Sequence, residues 1–255
     1  DTFRGRISGR IAQTIKALTA LLAASPAYAE GTEVTYADAA REAAEVLKHI
    51  NGVAGMDPTG YKWFMEKKTL DALGSGECPP EILWRGSMNK GTEDYAFGLN
   101  QEVQNYPPTL YGNGRINPTQ NLVDAFPMAN GYPITDPSSG YSASDPYAGR
   151  DPRLAEYVLY NGVTYNGAQI ITGTYSSDNN GLNKISTSTR TGYYLRKMVD
   201  EGHNVITESG SVQPLTIVRY GEVLLNKAEA CYHLSEIGLA NDAVEAVRKR
   251  VDLPY

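Results

Sequence analysis

Tyrosine is the side chain with binding chemistry that stands out in this sequence. The chain of 255 residues contains 18 tyrosines but only 4 phenylalanines and 2 tryptophans. A tyrosine ring joins a flat apolar face to a hydroxyl, a combination that suits a binding surface in contact with water. Half-buried packing is the ordinary alternative for each of these tyrosines. The composition therefore favours a binding surface without locating it.

Patterns that would indicate catalysis or metal binding are weak. Glu222 and Glu229 lie on one predicted helix and imitate a carboxylate pair, but structural ion pairs or hydrogen bonds explain them better. Residues 112 to 114 read Gly-Asn-Gly, without the lysine and the strand-to-helix setting of a phosphate loop. The 3 histidines are scattered and the 2 cysteines lack CxxC spacing. We therefore expect no catalytic residue, no metal site and no cofactor.

Charge and hydropathy exclude two further classes of protein. The formal net charge is −6, and the basic residues are mixed with acidic ones along the whole chain, so no basic block could track nucleic-acid phosphates. We expect no nucleic-acid partner. No apolar run approaches the roughly 20 residues that a membrane-spanning helix needs. With 41% apolar residues, the chain is long enough to bury a substantial core.

The amino-terminal segment imitates a secretory signal peptide. Basic residues precede an apolar run at 17 to 24, and Ala27-Tyr28-Ala29 resembles a cleavage site. However, the larger apolar residues recur at spacings of three and four, which predicts one stripe on an amphipathic helix: Ile7, Ile11, Ile15, Leu18 and Leu22. Ser8 is the expected N-cap, and Pro26 follows the last apolar turn. We therefore predict a helix of the mature protein.

A second helix is predicted from Tyr36 to Ile50, with Thr35 as its cap and Gly52 at its end. Its stripe is rich in alanine, which allows a neighbouring helix to approach closely. The first two predicted helices should therefore form an antiparallel pair. Cys78 lies beyond this pair and Cys231 lies near the carboxy terminus, and their spacing leaves the redox compartment open.

Residues 52 to 212 form a long stretch rich in Gly, Pro, Asn and Tyr. We predict a short strand at 81 to 85, a short helix capped by Asn117 with Pro118 at its first position, and an ordered piece at 151 to 160. Asp151 is interpreted as a turn and cap residue that orients the chain. Long loops in a compact protein usually carry function.

Residues 215 to 251 predict a helical hairpin. Both halves carry apolar stripes, with these members: Ile217, Tyr220, Gly221, Leu224, Ala228 and Cys231 on the first helix, and Ile237, Ala240, Val244, Val247 and Val251 on the second. The turn near 235 to 238 is short, so the two helices should be antiparallel neighbours. Helix pairs of this size are the units of tetratricopeptide-like solenoids.

The same hairpin carries a family resemblance. Residues 219 to 230 read RYGEVLLNKAEA, which resembles the RYAEVLLNYAEA helix of the SusD/RagB family and departs from it at Gly221 and Lys227. Residues 243 to 254 resemble the continuation of that motif. Other family-like pieces follow one another in the expected order, at 5–6 with 23–26, 81–84, 118–126, 130–133, 150–154 and 191–197.

The resemblance implies a mainly α fold, with a tetratricopeptide-like helical-repeat scaffold, a long loop-rich layer and a few short strands. It implies one SusD-like domain over residues 1–255 that is incomplete at both ends. Within that domain we expect a helix pair at 1–51, a loop-rich ligand-binding layer at 52–212 and a carboxy-terminal helical hairpin at 213–255. A lipid anchor would belong to a part of the protein that is absent from this chain.

The resemblance also implies a function. Members of this family bind oligosaccharides or other nutrients at the surface of the outer membrane without catalysis, and pass them to a SusC-like TonB-dependent transporter. Ligand contacts in the family come from loops before the helix at 118–126. The expected stacking platforms here are Tyr95, Tyr106 and Tyr111, and the expected hydrogen-bonding partners of sugar hydroxyls are Asn113 and Arg115. Trp63 and Trp84 are interpreted as buried.

Two other functions remain open at this point. A glycoside hydrolase would need two carboxylates that face a cleft at a separation of roughly 5 to 10 Å. A helical-repeat scaffold that binds only protein would not gather its loop tyrosines into one patch.

Overall fold

The fold is described from a computed structural model, which describes residues 7–48, 56–57, 81–85, 101–197, 199–207 and 216–254. The helices are α1 (Gly9–Ala24), α2 (Tyr36–Lys48), α3 (Gln101–Asn105), α4 (Gln120–Ala125), α5 (Pro152–Tyr157), α6 (Tyr220–His233) and α7 (Ile237–Lys249). The strands are β1 (Ile82–Arg85), β2 (Val158–Leu159), β3 (Val163–Tyr165), β4 (Ala168–Ile170), β5 (Tyr194–Leu195) and β6 (Thr216–Arg219).

The four long helices form the scaffold. Helix α1 packs against α2, α2 packs against α6, and α6 packs against α7. Their shared core is rich in small side chains, among them Ala17, Ala43, Ala228 and Ala246, together with larger residues such as Leu224. Small residues at helix contacts let the helix axes approach closely, and this explains the frequent alanines on the contact faces.

Helix α1 and its cap are confirmed, but the predicted apolar stripe is confirmed only for Leu18, which packs half-buried against the helical core. The Ser8 hydroxyl accepts a hydrogen bond from the backbone N–H of Ile11. The residues that α1 buries are Thr14, Ala17, Ala20 and Ala24. Leu22 is 56% exposed, because the helix turns its small-residue face toward its neighbours, and Ile7, which is 65% exposed, precedes the cap and lies outside the helix. Close packing of small residues decided which face is buried.

Helix α2 begins with the predicted Thr35 cap. The Thr35 hydroxyl accepts from the Asp38 N–H at 3.3 Å, and the Asp38 carboxylate accepts from the Thr35 N–H at 2.9 Å. These reciprocal bonds form a capping box. Hydrogen bonds from Thr35 lower the pKa of Asp38 to about 2. The predicted end of this helix, at Ile50 and Gly52, lies outside the described residues.

The carboxy-terminal hairpin is confirmed from Tyr220 onward. Ile217 was assigned to the first helix, but it lies in β6, which pairs antiparallel with β1. β-Branched side chains at 217 and 218 fit this strand. The predicted strand at 81 to 85 is confirmed as β1, and Trp84 in that strand packs half-buried against the helical core. Trp63 lies outside the part of the chain that the structure describes.

A buried ion pair joins the β1 region to the carboxy terminus. The Glu81 carboxylate pairs with the Arg250 guanidinium, and their side chains are only 1% and 5% exposed. Glu81 also accepts from the Asp57 N–H at 2.8 Å, and its backbone carbonyl accepts from the Tyr220 N–H at 2.9 Å. Glu81 thus connects the end of α7, the start of α6 and the segment at Asp57.

The middle layer consists of short elements held by side-chain caps. The predicted Asn117 cap is wrong, because the cap is Thr119, whose hydroxyl accepts from the Leu122 N–H. Helix α4 therefore begins at Gln120. Asn117 instead accepts from the Arg190 N–H at 2.8 Å. The predicted role of Asp151 is confirmed, since its buried carboxylate caps α5 and binds Arg153 at 2.6 Å. The ordered piece at 151 to 160 is therefore α5 followed by β2.

Candidate ligand-binding site

An open groove of about 520 Å³ lies between the loop at 106–111 and the turn at 202–206. We call it the Tyr111 groove. Its described lining consists of Tyr106, Leu110, Tyr111, Asn166, Gly202, His203, Asn204, Val205 and Ile206. The loop on one side follows α3, and the turn on the other side follows the β5 region.

Backbone hydrogen bonds to the end of α3 position the loop that carries Tyr111. A short 3-10 turn at Pro108–Leu110 ends at Tyr111, whose φ of 63° is left-handed. The chain then folds back, and the N–H groups of Asn113 and Arg115 donate to the carbonyls of Val103 and Gln104 at 2.8 and 2.9 Å. The loop therefore satisfies carbonyls that the helix end would leave without a partner.

Glycine is required at position 112 because the backbone there lies very close to the backbone of Tyr106. A Cβ atom on this residue would lie 2.1 Å from the carbonyl oxygen of Tyr106. No side chain tolerates such a contact, so the tight return of the loop depends on glycine. The glycines beside Asn113 thus serve loop geometry, in agreement with the rejection of a phosphate loop.

Tyr106 forms the floor of the groove, and the prediction that it is an exposed stacking platform is wrong in this structure. Its side chain is 1% exposed and packs edge-to-face against Tyr165, with ring centroids 5.8 Å apart. Its hydroxyl donates to the backbone carbonyl of Asp200 and lies 3.3 Å from that of His203. Burial raises the pKa of Tyr106 to about 12. This ring is a core residue that holds the two walls together.

The second wall is built by two asparagines. Asn166 occupies the turn between β3 and β4 with a φ of 48°, and its side-chain oxygen accepts from the Gly202 N–H at 2.7 Å. The Asn204 side-chain oxygen accepts from the Ile206 N–H at 3.0 Å. Because that oxygen is occupied, the amide N–H₂ of the exposed Asn204 is the group that this side chain offers to a ligand.

The other predicted site residues have different positions relative to the groove. Tyr111 lines it, and its side chain is 67% exposed. Asn113 is half-buried and Arg115 is exposed, but neither belongs to the described lining. Both lie on the same loop, two and four residues after Tyr111. Tyr95 lies outside the described residues. Ligand contact by these four residues stays a prediction.

Sequence reasoning missed the second wall. Asn166-Gly167 has two positive φ values, 48° and 74°, and connects two short antiparallel strands. This dipeptide is a strong hairpin signal, so the turn was open to prediction. The position of this turn beside Tyr111 could not be predicted, because it depends on contacts between segments that are distant in the sequence. Asn204 and Ile206 carry no local signal of a binding role.

The groove has the chemistry of a site for a neutral, hydroxyl-rich ligand. Its described lining presents phenol rings, amides, aliphatic side chains and the buried His203, and none of these lining residues is Asp, Glu, Lys or Arg. An exposed ring can stack on the apolar C–H face of a sugar, while amides hydrogen-bond with its hydroxyls.

Most other tyrosines of the middle layer serve packing. Tyr147 and Tyr160 stack with centroids 4.2 Å apart, and Tyr193 meets Tyr147 edge-on at 6.5 Å. Burial is the main cause that raises the pKa of Tyr147. Arg150 joins the end of α4 to the segment before Tyr147, because its guanidinium donates to the carbonyls of Val123, Phe126 and Pro146. For these rings the packing alternative is therefore correct.

The residues considered above for catalysis or for cysteine chemistry, where the structure describes them, lie on helix α6 of the scaffold. Glu222 and Glu229 are exposed on α6, away from the lining of the Tyr111 groove. Cys231 is buried in α6, and this burial raises the pKa of its thiol, while Cys78 lies outside the described residues. Within the described ranges, no group of three or more metal-binding side chains comes together. The helices described here are also too short or too polar to cross a membrane.

Two solved structures from Bacteroides fragilis have the same fold. A SusD-like carbohydrate-binding protein from Bacteroides fragilis shares 21% identity over 98% of this chain and 45% of its own, with a TM-score of 0.75. A second SusD-like protein from Bacteroides fragilis shares 24% identity over 100% of this chain and 49% of its own, with a TM-score of 0.71. The chain thus spans about half the length of these structures, and the predicted mainly α, tetratricopeptide-like fold is confirmed.

Comparison at the sequence level agrees with the fold. No curated protein sequence matches the chain significantly. The family model described as the SusD family matches residues 80–255, which include the middle layer, β6 and the carboxy-terminal hairpin. The matched region covers more than half of the chain, and the resemblance stated from the motif at 219 to 230 is confirmed. This chain belongs to the SusD family.

Proposed function

We propose that this protein binds oligosaccharides, without hydrolysing them, in the Tyr111 groove. The observation that carries the proposal is the exposed ring of Tyr111 at the edge of a groove whose described lining contains two asparagines and no Asp, Glu, Lys or Arg. Membership of the SusD family supports the same function, and a structural relative is a carbohydrate-binding protein by name. Asn113 and Arg115, on the same loop, are proposed to reach hydroxyls beyond the groove.

The surroundings of Tyr111 fit a ring that is ready to bind. The loop backbone is fixed by the α3 carbonyls and by the Gly114 N–H, which donates to the Tyr106 carbonyl at 3.0 Å. A site that is already ordered loses less conformational entropy when a ligand binds. The ring of Tyr111 itself remains exposed, so that its face is available for stacking.

We further propose that the whole protein acts at the cell surface and delivers its ligand to a SusC-like TonB-dependent transporter in the outer membrane. Family membership supports this role. Co-purification of the full-length protein with the transporter encoded nearest to its gene tests the partnership. Recovery of the protein without any transporter would contradict it.

Calorimetric titration against a panel of oligosaccharides tests the binding function. We expect at least one glycan to bind, and Tyr111→Ala to weaken that binding by about 3- to 10-fold, the range for the loss of one aromatic contact. Tyr28→Ala is the matched control, because Tyr28 is 58% exposed in the connection between α1 and α2. It should bind like the wild type.

A reducing-sugar assay on the same mixtures separates binding from hydrolysis. We expect no release of reducing ends from a bound oligosaccharide. Release by the purified protein would refute the non-catalytic function and favour a glycoside hydrolase. If no glycan binds but the transporter does, the protein-interaction scaffold is the better description.

A further inference from the structure

Tyr175 is the most exposed large apolar or aromatic side chain among the described residues. It is 74% exposed, in the loop that follows β4. A ring with so little contact contributes little to the core, so burial does not explain its position. Two residues, Asn161 and Gly173, nevertheless hold it in place.

Asn161 holds the hydroxyl of Tyr175. The Asn161 amide N–H donates to the Tyr175 hydroxyl oxygen at 2.8 Å. The other end of the same amide is also fixed, because its oxygen accepts from the N–H groups of Thr172 and Gly173 at 2.9 and 3.2 Å. The asparagine therefore connects the tyrosine to the backbone that begins its own loop.

The ring of Tyr175 packs against Gly173. A Cβ atom on Gly173 would lie 2.3 Å from Cε1 of Tyr175 and 2.8 Å from Cδ1. The ring thus lies directly against the glycine backbone, at a separation that any other residue would prevent. Contact on one side and a hydrogen bond at the hydroxyl fix the ring, while most of its surface stays exposed.

The loop of Tyr175 is joined to the loop of Tyr111. The Asn180 side chain accepts from the Thr109 N–H at 3.1 Å and donates to the Thr109 hydroxyl at 2.7 Å. Thr109 belongs to the 3-10 turn that ends at Tyr111. Within the Tyr175 loop, Asp178 accepts from the Ser176 hydroxyl at 3.0 Å and from the Asn180 N–H at 2.7 Å. Two exposed tyrosines therefore lie on two loops with a direct connection.

We propose that Tyr175 is a second stacking platform, which extends the Tyr111 groove so that the protein binds an oligosaccharide of several sugar residues. This inference rests on the proposed function. Ordering of an exposed ring before binding reduces the entropy that the ligand must overcome. Exposed polar residues beside the ring in the sequence, Thr174, Ser177 and Asn179, supply partners for sugar hydroxyls.

Titration with ligands of two lengths tests this site. The probes are disaccharides and hexasaccharides from glucan, xylan and mannan, and the glycan that binds the wild type is used for the variants. We expect Tyr175→Ala to weaken hexasaccharide binding by about 3- to 10-fold and to leave disaccharide binding unchanged. Tyr28→Ala again serves as the control for loss of an exposed tyrosine.

Two further variants test how the ring is held. Gly173→Ala keeps Tyr175 but displaces its ring, so hexasaccharide binding should weaken as in Tyr175→Ala. Tyr175→Phe keeps the ring and removes the bond from Asn161, so it should weaken binding less than Tyr175→Ala does. Circular dichroism of each variant confirms that the fold is retained, and Tyr175→Ala changes a surface side chain only.

The outcomes separate the two proposals. If the wild type binds a hexasaccharide and Tyr111→Ala weakens that binding while Tyr175→Ala does not, the second platform is refuted and the proposed function stands. An equal loss for disaccharide and hexasaccharide in Tyr175→Ala refutes the extended site. If the wild type binds none of the glycans, the proposed function fails, and this inference fails with it.

Discussion

Loss of the buried partner of Glu81 should strongly destabilise the protein. In Arg250→Met, the carboxylate of Glu81, at 1% exposure, would lose its ion-pair partner and keep the Asp57 N–H as its described donor, with Arg219 as the remaining cation that acts on it. An uncompensated buried charge costs about 3–5 kcal/mol of unfolding free energy. For a domain of this size, we expect the melting temperature to fall by about 6 to 20 °C.

The unfolding free energy can be measured by urea denaturation, followed by circular dichroism. The double variant Glu81→Gln with Arg250→Met should be more stable than the sum of the two single losses predicts, because neither member of the pair is left charged without the other. Lys249→Met is the matched control, since Lys249 pairs with Glu245 at the surface and its side chain is 71% exposed. It should cost at most about 1 kcal/mol.

The result that would refute this reasoning is a small effect. If Arg250→Met costs less than about 1 kcal/mol, the pair behaves like an exposed one and water reaches the carboxylate. If the two single losses simply add in the double variant, the two charges do not interact. Either finding would mean that the pair does not couple the β1 region to the end of the chain.

Two other predictions concern the loop of Tyr111 and its floor. Gly112→Ala should lower the urea midpoint, because the new Cβ would lie 2.1 Å from the Tyr106 carbonyl oxygen, and it should also weaken glycan binding by displacing the loop. Normal binding and stability in this variant would contradict the described return of the chain. Burial raises the pKa of Tyr106 and Tyr194 to about 12 each, above the unfolded value of about 10. The stabilisation of the neutral hydroxyls is complete below pH 10 and is lost as the pH rises toward 12, so unfolding midpoints should fall in that window. The fall should be smaller in Tyr106→Phe, and an equal fall would contradict the assignment.

Local signals in the sequence predicted the scaffold well. The caps at Ser8, Thr35 and Asp151 depend on residues within three positions, so their spacing was sufficient to identify them. The hairpin after Tyr220 has the same local character, because a short turn and two stripes define it. The prediction of which face of α1 is buried was wrong, because closely packed alanines, and not the larger side chains at the edges of that face, lie against the neighbouring helices.

Nonlocal contacts account for the failures in the loop layer. Tyr106 was expected at the surface, but its hydroxyl reaches the carbonyl of Asp200, 94 residues further along the chain. Ile217 lies in a strand because its neighbours Thr216 and Val218 pair with β1 at Arg85 and Trp84. No local pattern contains such information. Tyr175 was missed for the same reason, since exposure and the bond from Asn161 become visible only in the fold.

The way in which the loop after α3 is held affects how specificity could change in evolution. Its backbone is fixed by N–H groups of Asn113, Gly114 and Arg115 that donate to carbonyls, so the side chains at these positions take no part in those bonds. Side chains at 111, 113 and 115 can therefore change while these backbone bonds are kept. Gly112 and Gly114 are the fixed points of the loop, because a Cβ atom would lie 2.1 Å from the Tyr106 carbonyl oxygen at the first and 2.4 Å from the Thr187 carbonyl oxygen at the second. If the proposed site is correct, its specificity would change through these three side chains on one unchanged backbone.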